Sequence, residues 1–318
     1  MAEPGKKPIR ILFDTDIGGD CDDAGALALL HRLCDRGEAE LLAVTACYAS
    51  PYVAGCIDAI DRFHGRCVPV GINHAYSTDS RGVYAAELCC GFANSYPPTA
   101  AVPDTLTVLR QTLAAAEAQS VTFVVTGSLH SMERLVRSGP DDSSPLTGKE
   151  LIREKIVRTV VMGGRFFESW PMVIYPDGCS GGDPVIWEWN IRGSGYETAR
   201  TVCDEWPGEL VFSSYEIGSY IKTMVGYPSR APAGDPVARA YDVHNHGAGR
   251  CSWDLTAMLD AVRPGRYWSY HEFGKISVGE DLVTRWSRSP GSRHTYLMPK
   301  ADYEDIRQEI DDLIDGKP

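Results

Sequence analysis

The chain has no run of basic residues, no apolar stretch near the ~18 residues a membrane span needs, and no Cys-x-x-Cys pair. The first absence, with 43 acidic against 31 basic residues and a net charge of −12, argues against a nucleic-acid polymer or an anionic membrane as partner. The second argues against a spanning helix. The third makes a zinc site improbable: ten cysteines are scattered, only Cys89 and Cys90 are adjacent, and the default is reduced, partly buried thiols. Residues 1–8 are polar and carry no apolar signal region, so a cytoplasmic protein is expected. No internal repeat or linker is visible. With 318 residues and 43% hydrophobic content the chain can bury a full core, and one domain over 1–318 is expected.

What the sequence has in excess is aspartate, at one place. Ile9, Ile11, Leu12 and Phe13 read as a short buried strand. Ala26, Leu27, Ala28, Leu29, Leu30 and Leu33 read as a buried helix. Between them stand Asp14, Asp16, Asp20, Asp22 and Asp23, with Gly18 and Gly19 breaking the strand. One or two aspartates before a helix are ordinary caps. Five repel one another, and a helix N-terminus offers only about half a charge. A hard divalent cation is the economical partner.

Two known arrangements fit poorly. Asp14, Asp16, Asp20 and Asp22 match EF-hand loop spacing, but Gly25 stands where the bidentate Glu belongs, and the flank is a strand. A phosphotransferase of the haloacid dehalogenase type also has Asp-x-Asp after its first strand, yet the Asp22-Asp23 pair is foreign to that pattern.

Strand and helix signals alternate through the first two-thirds of the chain, which predicts an α/β fold with a mainly parallel central sheet flanked by helices. Glu40 to Ala46, Cys67 to Val70, Val121 to Val125, Ile156 to Met162 and Glu209 to Ser213 read as strands. The segment from His74 to Pro103 reads as irregular, either a flap over the sheet's carboxyl edge or a surface excursion. Asp141 to Gly148 reads as a loop, Asp104 and Asp235 as helix caps, and Tyr303 to Leu313 as a closing amphipathic helix. Trp187-Glu188-Trp189-Asn190 reads either as a half-buried strand or as a sugar site, where an aromatic ring packs while carboxylate and amide take hydroxyls.

Asp14-Thr15-Asp16, a glycine turn and Asp22-Asp23-Ala24 resemble the N-terminal signature of the inosine/uridine-preferring nucleoside hydrolases, with two extra residues before the Asp pair. Thr126-Gly127, Met162-Gly163-Gly164, Glu188-Trp189-Asn190 and Trp253-Asp254 continue the resemblance over roughly residues 9 to 315. It implies a nucleoside hydrolase-like, open α/β fold with a Rossmann-like core, and calcium-dependent hydrolysis of the N-glycosidic bond of ribonucleosides in purine or pyrimidine salvage. The implied substrate is a small nucleoside or riboside, and the implied assembly a dimer or tetramer. Calcium would be held by Asp16, Asp23, Asp254 and the carbonyl of Thr126, with Asp16 also the catalytic base and Asp14 steadying it. Asp22, Met162, Glu188, Asn190 and Trp253 would meet the substrate.

The departures matter as much. Trp253 replaces the histidine that often protonates the leaving base, which leaves stacking by Trp253, or proton donation from His244 or His246, as alternatives. Gly182 stands where an asparagine is common, and Gly193-Ser194-Gly195 replaces a helix-opening acid. The second reading is therefore a non-catalytic or re-specialised nucleoside- or sugar-binding protein that retains the metal site.

Overall fold

The computed structural model describes residues 7–77, 82–167 and 187–317. Its first half alternates β1 (Ile9–Thr15), α1 (Asp22–Asp35), β2 (Ala39–Ala46), α2 (Val53–Phe63), β3 (Val70–Ile72), α3 (Ala85–Gly91), α4 (Thr105–Ala115), β4 (Val121–Val125), α5 (His130–Arg137), α6 (Gly148–Lys155) and β5 (Ile156–Met162). There follow α7 (Trp189–Glu205), β6 (Leu210–Ser213), α8 (Tyr215–Ser219), β7 (Lys222–Thr223), α9 (Tyr227–Arg230), α10 (Pro236–Asn245), β8 (Arg250–Cys251) and α11 (Trp253–Val262). The remainder comprises β9 (Trp268–Tyr270), β10 (Lys275–Val278), β11 (Thr284–Ser287), β12 (His294–Pro299) and α12 (Tyr303–Ile314).

Eight strands form one sheet in the order β3-β2-β1-β4-β5-β6-β12-β9. Every pairing in it is parallel except β12 with β9. Strand order reverses direction between β1 and β4, and a crevice opens at such a switch point, outside the carboxyl ends of the strands. The aspartate cluster follows β1 directly.

Side chains alternate across the sheet into two apolar layers. Ile11 and Phe13 of β1 join a layer built on α1, α2, α10, α11 and α12. Leu12 of the same strand joins the opposite layer, with Leu109, Leu135, Leu151 and Ile191 from α4, α5, α6 and α7. Because α1 is buried on nearly all sides, its sequence is an apolar run rather than a stripe.

Two expectations need correction. The third strand is Val70–Ile72, not Cys67 to Val70 closing at Gly71. Pro69 has no N–H to give a ladder, and Gly71 lies within the strand because a Cβ there would come 2.9 Å from Val108 Cγ2 on α4. Residues 82–103 hold α3, and Tyr84 before it packs on the aspartate loop: Gly18 N donates to Tyr84 Oη (3.0 Å), which donates to the Asp20 carbonyl (2.8 Å). Caps at Asp104 and Asp235 stand as expected, and α6 begins at Gly148 from a Thr147–Glu150 capping box.

Candidate active site

At the switch point the chain leaves β1 and enters α1 with Asp22 and Asp23 in its first turn, while α11 brings Asp254 in its own first turn. Carboxylate oxygens of Asp22, Asp23 and Asp254 all lie within 4.8 Å of one another, and all three residues are buried. Both helix N-termini aim at the cluster, and their partial positive charge offsets some of the repulsion. Thr15 Oγ1 donates to Asp23 Oδ1, Thr126 Oγ1 donates to the same oxygen (3.2 Å), and the Asp254 N–H donates to Asp22 Oδ2 (3.3 Å). These bonds do not neutralise three charges. Burial, then the neighbouring carboxylates, push Asp22 and Asp254 well above the usual carboxylate range. Burial also takes Asp23 up to about 7. An all-oxygen, multiply charged, desolvated donor set fits a hard divalent cation.

The cluster forms the floor of a cavity of about 370 Å³ that Asp16 and Thr126 also line. One wall comes from the α7 side of the sheet, with Met162, Glu188, Trp189 and Asn190, and the other carries Tyr215, Trp253 and Arg250. Asp16 and Thr126 meet where β1 and β4 end: a Cβ at Gly127 would stand 2.9 Å from Asp16 N and 2.7 Å from Cys47 Sγ. That close approach is what the Thr-Gly pair provides.

Asp14 lies beneath the floor rather than on it. Its carboxyl is fully buried, accepts from Thr45 Oγ1 (2.5 Å), and is pushed up to about 7 by that burial. Glu188 caps α7, so the half-buried-strand alternative fails: its carboxylate accepts from the N–H groups of Asn190 (2.7 Å), Ile191 (3.0 Å) and Gly164 (3.2 Å). Burial nevertheless takes it up to about 7. Asn190 donates through Nδ2 to the carbonyls of Thr126 (2.8 Å) and Met162 (3.2 Å), tying the ends of β4 and β5 to α7. The Thr126 carbonyl keeps a second lone pair.

Trp253 stacks on Tyr215 (5.5 Å between centroids) and donates its indole N–H to the Tyr215 carbonyl (2.9 Å) and Ser219 Oγ (3.2 Å). It therefore offers the cavity a ring, not a proton. His246 does not belong to the site: it is the exposed, left-handed C-cap of α10 and does not line the cavity. His244 lies closer, with Nδ1 3.2 Å from the Gly19 carbonyl and Nε2 3.5 Å from Asp20. Gly182 falls outside the described residues.

Sequence reasoning missed an ion pair in the wall. Arg250 donates to Asp20 Oδ2 through Nε (3.0 Å) and Nη2 (2.5 Å), with its guanidinium 4.9 Å from the Trp253 ring centre. The partners are 230 positions apart and Arg250 sits on a two-residue strand, so no local pattern announces the pair. Tyr215 was unassigned for the same reason.

The sequence matches no protein-family profile and no curated protein. Solved structures do match. An inosine-uridine preferring nucleoside hydrolase from Bacillus anthracis aligns with a TM-score of 0.67 at 18% identity, over 96% of this chain and 99% of that one. A plant nucleoside hydrolase aligns at 0.68 and 16%, over 96% and 99%. The type III effector protein XopQ, solved with adenosine diphosphate ribose, aligns at 0.67 and 15%, over 97% and 94%. The fold is that of the nucleoside hydrolases, with a buried acidic pocket at its switch point.

Proposed function

We propose that this chain is a divalent-cation-dependent N-ribosyl hydrolase that releases a free base from a riboside, with calcium as the cation. The observation that supports it most is the convergence of Asp22, Asp23 and Asp254 within 4.8 Å, buried, beneath a cavity with aromatic walls. Asp16, Asp23, Asp254 and the Thr126 carbonyl would hold the cation, with Asp22 beside them. When bound it would supply Lewis acidity, lowering the pKa of water at the site and gripping ribose hydroxyls.

The chain's own residues account for the remaining steps. Asp16, the partly exposed carboxylate on the floor, accepts the proton of the attacking water. Asp22 accepts a hydrogen bond from a ribose hydroxyl. The clustered carboxylates stabilise the positive charge that develops at the anomeric carbon in an oxocarbenium-like transition state. Trp253 stacks on the departing base, and Glu188 and Asn190 hold the wall that faces the sugar.

The deciding experiment follows release of base and ribose from purine and pyrimidine nucleosides, with calcium and with chelator, for the wild type and Asp16→Ala. Calcium-dependent cleavage by the wild type and none by a folded Asp16→Ala is the expected result. Metal-independent cleavage, or a fully active Asp16→Ala, rejects the proposal. The occupied N–H of Trp253 favours a second reading, a binding protein without a leaving-group acid. It predicts calcium-dependent riboside binding with no cleavage by either protein.

A further inference from the structure

Trp187 and Trp189 flank the cap of α7, and one guanidinium joins them. Arg192 Cζ lies 4.0 Å from the Trp187 ring centre and 5.3 Å from that of Trp189, and the two indoles meet edge to face at 4.9 Å. Trp189 lines the cavity yet is 55% exposed, the posture of a ring at a mouth. Arg192 is exposed, and among the described residues no carboxylate pairs with it. Arg250, across the cavity, is by contrast held by Asp20.

From this geometry we infer an anion subsite at the mouth: Arg192, set by Trp187 and Trp189, receives the 5′-phosphate of the riboside, so that a nucleoside 5′-phosphate is bound in preference to the bare nucleoside. The inference rests on the riboside reading of the cavity. A guanidinium held over the Trp187 ring keeps N–H groups for a tetrahedral oxyanion. Trp187 and Arg192 occupy the two positions of a helix-entry staple around the Glu188 cap, which fixes the cation before ligand arrives.

The placement follows from the layers. The carboxylate floor meets the ribose hydroxyls, and Trp253, packed with α1 and α10, takes the base. Trp189 opens α7, whose Ile191 is in the opposite layer. The substituent left to face it is C5′. A phosphate at the mouth also stays farther from the acidic floor than one at any other position on the sugar.

The test compares kcat/KM for inosine 5′-monophosphate and inosine, and Kd for ribose 5-phosphate and ribose, all with calcium. In the wild type the phosphate improves each by at least about tenfold, and the gain shrinks with added salt. In Arg192→Gln the phosphorylated-to-bare ratio falls about tenfold, and Arg192→Lys restores part of it. No phosphate advantage in the wild type overturns the subsite while leaving the riboside reading intact. A ratio unchanged in Arg192→Gln, with a lower denaturation midpoint, overturns it too and makes Arg192 a staple only. If the wild type neither binds these sugars nor cleaves either riboside, the riboside reading itself fails and the subsite falls with it.

Discussion

Asp254 bears the sharpest conflict between stability and function. It shares a desolvated pocket with Asp22 and Asp23, and without a cation, charging all three there is destabilising. Asp254→Asn keeps the shape, removes one charge and adds two donors toward its neighbours. In chelator the variant should melt higher than the wild type, by about 1–2 °C for each kcal/mol of repulsion relieved in a chain of 318 residues. Calcium should raise the wild-type midpoint and leave the variant's unchanged. Differential scanning fluorimetry with and without chelator checks both, and a lower midpoint for Asp254→Asn in chelator would show that the cluster is not repulsive.

The elements meet tightly where β1 and β4 end. At Gly127 an added methyl would strike Cys47 Sγ and the Asp16 backbone, so Gly127→Ala should shift Asp16 and cost more in turnover than in stability. A loss of at least about tenfold in kcat/KM, against about 1–3 kcal/mol in urea denaturation, is expected. Turnover unchanged at reduced stability would separate Asp16 from the chemistry. The β-branched runs of β4 and β5 and the caps at Asp104 and Asp235 were legible because each is a local signal. Glu188 was harder: Trp-Glu-Trp-Asn alternates like a strand, and only the bonds from Asn190, Ile191 and Gly164 show a cap. The short α3 lay hidden among the aromatic and glycine residues of an apparently irregular segment. The aspartate floor was visible since Asp14 to Asp23 are contiguous and Asp254 opens an apolar helix. The Asp20–Arg250 wall was not, because only the tertiary fold brings those residues together.

For the molecule as a whole, one source of acid sensitivity lies between α1 and α2. His31 Nε2 lies 2.8 Å from Asp61 Oδ1, both fully buried, and the His64 ring stacks on His31 at 4.6 Å. Burial takes both histidines down to about 3, so in the unfolded chain, near pH 6.5, they bind protons the folded chain refuses. Their contribution to stability is present above pH 6.5 and is lost as pH falls from there toward 3. Asp61, raised by burial, acts in the opposite sense. His64→Phe keeps the stacked ring, deletes a nitrogen that has no hydrogen-bond partner among the described residues, and should flatten the fall of the urea midpoint between pH 6.5 and 4. An unchanged slope would exonerate His64.

The sheet order also sets a timetable. β12 is the last of the described strands, yet it lies inside the sheet, between β6 and β9. During synthesis on the ribosome β6 must wait, one side unpaired, while eighty residues (214–293) emerge before its neighbour arrives. A waiting edge of Leu210, Val211 and Phe212 is a surface that a stray strand can pair with. The newborn chain thus has its greatest need of a chaperone late, when most of its length is already made.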